Sequence, residues 1–419
     1  MNFSDKTVMV VENGLFAPVA HRLARDFGRV LYHRGTRHAF PHPNDSAIGA
    51  GYKNVERADS WEAHIEDVDL FVFPDLYWAD TQAYLRSMGH RVFGCGWGEE
   101  LELWRDDFYS TLKANGFNTV PWEMVRGMTA LREHLEDEED KYIKISYHRG
   151  LCETFRWIDS RISKPRLDVL QHDLGALSED QWFLVQDSLD SKREVGSDQI
   201  IVDGKFAKTV QYAVEGKDKT GLARMLPYAR LPKEVLEIND NLGPVFEAAN
   251  RDRSGWNPYR GFFSTEIRVA KDGKPYFTDP TCRMASPCGE TFMLMCENFS
   301  EIVWAAAGGE IVEPVVETPF AAQALIQADL AETQSIPIFI DPKVRGQVCL
   351  YHSGIRGDGQ ECVFKSDAGM LEIGSVIGLG ATIDAAIEDC RNAAGKIECD
   401  KMSVAVDALE EFKPQLMKL

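Results

Sequence analysis

The chain has 419 residues, a length that favours roughly two to four domains. Its hydrophobic fraction of 44% and charged fraction of 27% are those of a soluble globular protein, and its net charge of −20 argues against nucleic acid or an anionic membrane as the main partner. Nine scattered cysteines without a CxxC pair, and the lack of a long apolar run, predict free thiols in a reducing cytoplasm and no membrane-spanning helix.

Alternating strands and helices open the chain. The predicted elements are strand Thr7–Val11, helix Ala17–Phe27, strand Arg29–Tyr32, strand Asp69–Pro74, helix Thr81–Met88 and strand His90–Phe93. This order is typical of a Rossmann-like unit with a parallel sheet, closing near residue 95. The loop Glu12-Asn13-Gly14 is not a GxGxxG motif, so a dinucleotide site is not supported. Asp75 and Tyr77 follow a strand, which indicates either a ligand-binding edge or an ordinary polar loop.

A lysine interrupts a strand in the next region. Helix Glu99–Ala114 is predicted first, and Lys141–Tyr147 then alternates like a strand, with Ile143 and Ile145 on one face and Lys144 on the other. A lysine in mid-strand is costly unless it has an anionic partner, and a nucleotide phosphate is such a partner. The alternative is a lysine on an edge strand that prevents aggregation.

A strand, a hairpin, a loop and a helix are predicted next. They are strand Gln181–Gln186, hairpin Gln199–Val214, a basic glycine-containing loop Gly216–Ala229 with Lys217, Lys219 and Arg224, and helix Leu236–Asn250. The turn Asp203-Gly204 carries the hairpin chemistry, and the loop supplies positive charge to an otherwise acidic chain.

The most informative stretch is a second hairpin around the turn Asp272-Gly273. A two-residue turn places Glu266 opposite Asp279, Ser264 opposite Thr281 and Arg268 opposite Phe277, whereas a three-residue loop with a bulge shifts this register by one. Two opposed carboxylates repel each other unless a cation lies between them, and their oxygens suit magnesium. Arg283 follows, well placed for an anionic ligand. The alternative is a solvent-facing hairpin whose charges keep it soluble.

The last part of the chain is predicted to be a small α+β unit. Helix Thr291–Ala307 and a connection rich in proline and glutamate precede it. Its predicted elements are strands Ile336–Ile340, Val348–Ser353, Glu361–Lys365 and Ser375–Leu379, and helix Thr382–Ala394. The residues before that helix favour a tight turn with Thr382 as the N-cap.

Together these segments resemble the ATP-grasp superfamily, and within it phosphoribosylamine–glycine ligase. The segments that carry the resemblance are Glu102 and Arg105 (an lE-x-x-K-like helix), Tyr142-Ile143-Lys144, Leu184–Leu189, Glu194, Glu266, Asp279–Arg283 and the final hundred or so residues. The resemblance implies an α/β and α+β chain with three parts. These are a Rossmann-like pre-domain (1–95), an ATP-grasp domain (96–315, with a lid subdomain at about 117–187) and a C-terminal domain (316–419).

The chain departs from the ligase at its loops. Ser146–Thr154 replaces the glycine-rich phosphate loop, and the glycine-rich substrate loop is absent, with Gly216–Lys219 the nearest match to the segment before it. Asp279 and Thr281 stand where the family has glutamate and asparagine.

The resemblance implies an ATP-dependent, ADP-forming ligase that joins a small carboxylate to an amine through an acylphosphate. ATP and Mg²⁺ are the implied cofactors, the cytoplasm is the implied location, and a homodimer is left open. The implied ATP-binding residues are Lys144, Arg149, Gln186, Asp187, Leu189, Glu194 and Lys208. The implied metal ligands are Glu266, Asp279 and Thr281, and the implied catalytic residues are Arg283, Arg268 and Lys219.

Two other classes of function remain open from the residues. One is a degenerate ATP-grasp protein that binds nucleotide as a regulatory or assembly subunit, which the altered phosphate loop suggests. The other is a carbohydrate or nucleotide-sugar enzyme that does not use ATP, against which the missing phosphate fingerprint counts.

Overall fold

The fold is described from a computed structural model. It covers residues 1–35, 43–146, 154–216, 220–249, 257–286, 288–365 and 371–417. Among these residues the strands form four sheets, and no helix is both long and apolar enough to cross a membrane. The predicted phosphate-side residues Arg149 and Lys219 lie outside the described residues.

The first sheet is parallel and has five strands in the order β3-β2-β1-β4-β5. Its strands are β1 (Phe3–Glu12), β2 (Phe27–Arg34), β3 (Glu56–Arg57), β4 (Leu70–Val72) and β5 (Arg91–Phe93). The helices of this unit are α1 (Ala17–Leu23), α2 (Pro43–Ala47) and α3 (Ala79–Ser87). The Rossmann-like start of the chain is therefore confirmed.

The helix predicted over Glu99–Ala114 is broken. The structure has a 3₁₀ turn, then α4 (Glu100–Leu103) and α5 (Arg105–Ala114). The break falls at Trp104, whose φ of −111° and ψ of 84° leave the helical region. As a result Arg105 occupies the first turn of a new helix and its side chain points into the middle of the molecule, where only 4% of the residue is exposed.

A four-stranded antiparallel sheet forms the predicted lid, in the order β6-β9-β7-β8. Its elements are β6 (Trp122–Arg126), α6 (Met128–Leu135), β7 (Lys141–Ile145), β8 (Thr154–Trp157), α7 (Ser160–Leu174) and β9 (Trp182–Asp187). Because β7 lies between β9 and β8, Lys144 is not on an edge strand, and that interpretation of the lysine is wrong.

The largest sheet has nine strands, eight of them in the order β14-β13-β10-β11-β12-β15-β20-β17, with β22 also paired to β15. Its first part contains β10 (Ser191–Val202), β11 (Thr209–Gly216), β12 (Thr220–Pro227), α8 (Lys233–Asn239), α9 (Gly243–Ala248), β13 (Arg260–Ala270), β14 (Pro275–Thr281), α10 (Gly289–Met295) and α11 (Phe299–Ala307). The predicted basic loop Gly216–Ala229 is thus mostly a strand, because residues 220–227 pair with β11 on one side and residues 220–224 pair with β15 on the other. The helices predicted over Leu236–Asn250 and Thr291–Ala307 are each divided in two.

The C-terminal part continues this sheet and adds a small one in the order β18-β19-β16-β21. Its elements are β15 (Phe320–Ala328), β16 (Ile336–Ile340), β17 (Val348–Leu350), β18 (Ser353–Ile355), β19 (Glu361–Val363), β20 (Glu372–Gly380), α12 (Ile383–Ala394), β21 (Ile397–Cys399), β22 (Met402–Val404) and α13 (Leu409–Leu416). Thr382 caps α12 as predicted, its side chain accepting a hydrogen bond from the Ala385 amide. The pairing of β12 with β15 carries one sheet across the domain boundary proposed near residue 315.

Candidate functional site

The hairpin β13–β14 forms with the predicted pairing at its functional end. Glu266 lies opposite Asp279, and Ser264 lies opposite Thr281. Like charges directly opposite each other destabilise a strand pair. The structure must therefore compensate the two carboxylates locally.

Near the turn the register differs from the two-residue-turn prediction. Arg268 faces Tyr276 rather than Phe277, because the tip of the hairpin is a three-residue loop. A bulge between Glu266 and the next residue of β13 absorbs the shift, with Thr278 as the extra residue on β14. The Thr278 hydroxyl donates to the Glu266 backbone oxygen at 3.1 Å. The three-residue loop and the bulge shift the register in opposite directions, so Glu266 lies opposite Asp279.

Two cations from distant parts of the chain neutralise Asp279. Nη1 of Arg105 lies 2.9 Å from both carboxylate oxygens, and Nζ of Lys144 lies 3.6 Å from Oδ2. Lys144 also donates to the Tyr109 hydroxyl at 2.9 Å and to the Thr278 carbonyl at 3.4 Å. Burial alone would raise the pKa of Asp279, but the attraction of Arg105 and Lys144 lowers it below its usual value. Asp279 is therefore a carboxylate at neutral pH, held between the lid and the large sheet.

Arg283 is fixed by a buried glutamate. Glu102 Oε1 accepts a hydrogen bond from Arg283 Nε at 3.0 Å, and its Oε2 accepts one from the Cys282 amide at 2.6 Å. Glu102 is 6% exposed, so this charge-assisted contact is largely shielded from water. The guanidinium of Arg283 is thereby held in one orientation at the edge of the cavity described next.

A cavity of about 130 Å³ opens on the face of β10, β11, β13 and β14. Its charged lining residues are Glu194, Asp198, Glu215, Glu266 and Arg283. Predicted metal ligand Thr281 also lines it, whereas Asp279 lies beside it rather than in its wall. The cavity is therefore lined by residues from both strands of the hairpin β13–β14 and from β10 and β11.

The carboxylates of the cavity affect one another. The side chain of Glu215 is open to the cavity, yet desolvation by the surrounding walls, together with the charges of Asp198 and Glu266, raises its pKa well above the usual value. Burial also raises the pKa of Asp198, although Gln211 and Ser264 donate hydrogen bonds to it. The cavity walls and the neighbouring carboxylates thus make these groups hard to ionise, and a bound cation would favour their ionised forms.

Arg268 bridges two predicted site residues. Its guanidinium lies 3.1 Å from Glu194 Oε2 and 3.3 Å from Glu266 Oε1, and it covers the ring of Tyr142 at 5.9 Å. Tyr142 belongs to the lid and Arg268 to the hairpin. This contact is the second point at which lid and large sheet meet over the site.

The predicted adenine-binding segment links the lid to the large sheet. Gln186 ends the buried part of β9 and accepts a hydrogen bond from the Tyr109 hydroxyl at 3.2 Å. Asp187 accepts one from Lys141 Nζ at 2.6 Å, and its own amide donates to a carbonyl at the start of the lid. Leu189 lies half-buried in the connection between β9 and β10. The segment has the position of a hinge, but the Asp187 amide already has a partner in the protein.

Lys208 is placed apart from the other predicted residues. It is exposed and lies just before β11, where its amide donates to the Glu313 carboxylate at 2.9 Å. The cavity is lined by the far end of the same strand, at residues 213–215. The structure therefore brings Lys144, Glu194, Glu266, Arg268, Asp279, Thr281 and Arg283 together, and leaves Lys208 at the other end of β11.

Known proteins resemble the chain in sequence and in fold. No protein-family model matches the chain. A phosphoribosylamine–glycine ligase of Leptospira interrogans is 24% identical over 233 residues, which are 53% of this chain and 49% of that protein. The same ligase from a second strain of this species is 23% identical. The chain spans about half the length of these curated relatives.

Solved structures are similar over nearly the whole chain. Phosphoribosylamine–glycine ligase from Thermotoga maritima has a TM-score of 0.70 at 14% identity, covering 95% of this chain and 98% of that one. Biotin carboxylase from Campylobacter jejuni, solved as a complex with β-γ-ATP, has a TM-score of 0.65 at 14% identity, covering 98% and 95%. The chain has the ATP-grasp fold.

The predicted fold class is therefore confirmed. In this structure the hairpin, Lys144 of the lid, Glu102 of α4 and Arg105 of α5 meet between the lid and the large sheet.

Sequence reasoning missed several residues of the ATP-grasp cleft. Asp198 and Glu215 line the cavity, and Gln211 donates to Asp198. The Tyr109 hydroxyl accepts from Lys144, and Arg105 is the partner of Asp279. Tyr109 had a signal, since it lies four positions after Arg105 and so on the same face of α5. Asp198 and Glu215 lie one residue beyond the two ends of the predicted hairpin Gln199–Val214. The pairing of β10 with β13, which completes the cavity, has no signal in a single sequence.

Proposed function

We propose that this protein is an ATP-dependent ligase that joins a small carboxylate to an amine and forms ADP and phosphate. The observation that supports this most is the meeting of Lys144 from the lid with Asp279, directly opposite Glu266 on the hairpin. A cation and two carboxylates from three separate segments are what a magnesium–nucleotide complex requires. A solvent-facing hairpin would need no such arrangement.

The residues of the cleft fit magnesium in the presence of nucleotide. Glu266 and Asp279 are opposed hard-oxygen ligands, and the Thr281 hydroxyl lies in the same cavity wall as Glu266. Mg²⁺ usually takes one or two protein carboxylates and completes its shell with water and substrate phosphates, so this set is sufficient. When bound, Mg²⁺ would neutralise charge on the phosphates.

The remaining proposed roles follow from position for the described residues, and from the family resemblance for Arg149 and Lys219. Lys144, with Arg149, holds the triphosphate; the segment with Gln186, Asp187 and Leu189 holds the adenine; and Glu194 lies on the adjacent wall. Arg283 and Arg268 hold the substrate carboxylate and then the acylphosphate. Lys208 is too far along β11 for the γ-phosphate, so that role stays with Lys219, as the resemblance implies. Catalysis of this kind rests mainly on positioning and on neutralising charge.

The proposed reaction has two steps. A carboxylate oxygen of the substrate takes the γ-phosphoryl group of ATP, which gives an acylphosphate and ADP. The amine nitrogen then attacks the acyl carbon, and the new C–N bond forms as the C–O bond to phosphate breaks. The amine loses a proton, and phosphate leaves. We propose that Arg283, which Glu102 holds, stabilises the negative charge in both steps.

The names of the curated relatives suggest a substrate that this chain does not readily fit. They are phosphoribosylamine–glycine ligases, but the glycine-rich substrate loop of that ligase is absent from this sequence. We therefore propose a different small carboxylate and amine.

The test is ADP release from Mg-ATP, scanned over amino acids and simple amines. Turnover that needs one carboxylate and one amine, and that Glu266→Ala abolishes while circular dichroism shows an intact fold, supports the ligase. Nucleotide binding without turnover for any pair supports the regulatory or assembly subunit instead. Turnover that is unchanged in Glu266→Ala contradicts the metal assignment.

A further inference from the structure

A chain of hydrogen bonds leads from the wall of the cavity to a fully buried carboxyl group. Ser286 lines the cavity, and its hydroxyl lies 3.0 Å from the Tyr351 hydroxyl. Tyr351 donates to Glu290 Oε1 at 2.8 Å, and Gln323 Nε2 donates to Oε2 of the same carboxyl group at 2.9 Å. Glu290 is 0% exposed and Tyr351 is 1% exposed. The chain of Ser286, Tyr351 and Glu290 is here called the Ser286 relay.

Glu290 is held without an ion pair to any described residue. Burial raises the pKa of Glu290 above its usual value. The hydrogen bonds from Gln323 and Tyr351, and the charge of Arg283, oppose this rise only in part. A carboxyl group with a raised pKa is a better proton acceptor at neutral pH than an exposed one.

The other titratable groups that face Glu290 are uncharged at neutral pH. Cys288 precedes α10 and Cys349 lies on β17, and burial raises the pKa of both thiols. Burial also raises the pKa of Tyr351 well above its usual value. A proton that reaches Glu290 therefore has no competing base beside it among the described residues.

The charged side chains on the elements packed against α10 are themselves engaged. Strand β10 contributes Asp198, whose pKa is raised by burial. Helix α1 contributes Arg22, which donates to the Cys296 carbonyl at the opposite end of α10, at 3.0 Å. Arg283 therefore remains the cation that most affects Glu290 among the described residues.

The direction of the hydrogen bonds decides what a ligand in the cavity meets. A hydroxyl group has one proton to donate, and Tyr351 gives its proton to the Glu290 carboxylate. The Ser286 hydroxyl must therefore donate to the Tyr351 oxygen. The Ser286 oxygen is then left as a hydrogen-bond acceptor at the cavity wall, which suits a ligand that carries N–H groups.

We propose that Ser286 accepts a proton from the amine substrate, and that Tyr351 and Glu290 carry this proton out of the cavity. This inference rests on the proposed ligase function, in which the amine must attack as a free base. An alkyl amine has a pKa of about 8 to 10, so at neutral pH it enters as an ammonium ion. Arg283 and Glu266, which we propose for the acylphosphate and the metal, line the same cavity as Ser286.

Each hydroxyl of the Ser286 relay accepts one proton and passes on its own. The ammonium nitrogen gives a proton to Ser286 Oγ, Ser286 passes its proton to Tyr351, and Tyr351 passes its proton to the Glu290 carboxylate. The neutral amine then attacks the acyl carbon, the C–O bond to phosphate breaks, and one further proton of the nitrogen leaves with the phosphate. After product release, Glu290 returns its proton through the same chain to water in the cavity.

The test uses the carboxylate and amine that give the fastest ADP release from Mg-ATP in the scan described above. Tyr351→Phe interrupts the relay and keeps the aromatic ring. We expect its kcat at pH 7 to fall at least about tenfold, while KM for the amine changes less than about threefold. Tyr228→Phe is the matched control and should behave as wild type, because the Tyr228 hydroxyl donates to Asp240 at 2.8 Å outside the cavity.

A pH profile separates the relay from a purely structural role. At pH 9 much of the amine has already lost its proton in solution, so the loss in Tyr351→Phe should shrink to less than about threefold. Glu290→Gln should show the same profile, and the variant with both changes should be no slower than the slower single variant. Ser286→Ala should show this profile as well, whereas Ser286→Thr keeps the hydroxyl and should restore the rate.

Three results would overturn the relay and leave the ligase intact. They are an unchanged kcat in Tyr351→Phe, a loss that is equal at pH 7 and pH 9, and additive losses in the variant with both changes. If Tyr351→Phe does not fold, the pH profile of Ser286→Ala decides in the same way. No turnover of any carboxylate–amine pair by wild type contradicts the proposed function, and the relay with it.

Discussion

The hydroxyl of Thr278 lies 3.1 Å from the backbone oxygen of Glu266 and 3.2 Å from its Oε1. This contact closes the bulge that sets Glu266 opposite Asp279. Thr278 is 8% exposed, so its hydroxyl has little access to water as an alternative hydrogen-bond partner to the Glu266 carboxylate. The alignment of the two carboxylates thus depends on a residue that need not touch the ligand.

Replacing Thr278 with valine keeps its shape and removes the hydroxyl. We expect a loss of about 1 kcal/mol in the free energy of unfolding, measured with urea, and weaker Mg-ADP binding because Glu266 is less restrained. Thr278→Ser retains the hydroxyl and should bind Mg-ADP like wild type. Valine and wild-type proteins with identical affinities would show that the bulge does not position Glu266.

Replacing Lys144 with methionine removes a buried cation and retains most of its volume. Asp279 keeps Arg105, so the fold should survive, while affinity for ADP should fall about tenfold or more because a phosphate loses a charge-assisted contact. Lys271→Met is the matched control, since Lys271 pairs with Asp190 at the exposed tip of the hairpin. If Lys144→Met and Lys271→Met bound ADP with equal affinity, Lys144 would not be part of the nucleotide site.

Replacing Glu102 with glutamine removes the anion that holds Arg283. We expect the free energy of unfolding to fall by about 2 kcal/mol, because a partly buried guanidinium loses its charged hydrogen-bond partner. Glu388→Gln, which breaks an exposed pair with Arg391, should cost less than about 0.5 kcal/mol. Urea unfolding curves measure the free energy of unfolding of both variants. A similar small loss in both would mean that the pairing of Arg283 with Glu102 contributes little to stability.

The ionisation of Glu99 should lower the free energy of unfolding as the pH rises. Burial raises the pKa of Glu99 to about 7, although the Trp78 amide donates to it at 3.1 Å. Because the folded state holds this proton more tightly than the unfolded state, Glu99 reduces stability as the pH rises from about 4.5 to about 7. The reduction is at most on the order of 3 kcal/mol.

The measurement is urea unfolding of wild type and Glu99→Gln at pH 5 and pH 8. Glutamine has no proton to lose, so the stability difference between the two proteins should move in favour of Glu99→Gln at the higher pH. A difference that is constant with pH would contradict the raised pKa.

Local chemistry made the hairpin predictable. The Asp272-Gly273 turn and the alternation of β13 were enough to align Glu266 with Asp279, even though the actual path is a three-residue loop followed by a bulge. The N-cap of α12 and the parallel first sheet were predicted for the same reason, since their signals lie within a few residues of each other.

Long-range pairing explains the errors. Residues 220–227 were predicted as part of a basic loop, but pairing with β11, and of 220–224 also with β15, makes them a strand. The break at Trp104 is invisible in the apolar spacing of the helix, yet it turns Arg105 toward Asp279. Which cations neutralise Asp279 depends on contacts across well over a hundred residues, for which a single sequence has no local signal.

The most direct test of the nucleotide site is calorimetric titration of ATP with Mg²⁺ into wild type and Glu266→Ala. The account predicts one ATP per chain for wild type, and an affinity at least about tenfold weaker for Glu266→Ala with its circular dichroism unchanged. Equal affinities in a folded Glu266→Ala protein would contradict the claim that the hairpin carboxylates hold the metal–nucleotide complex.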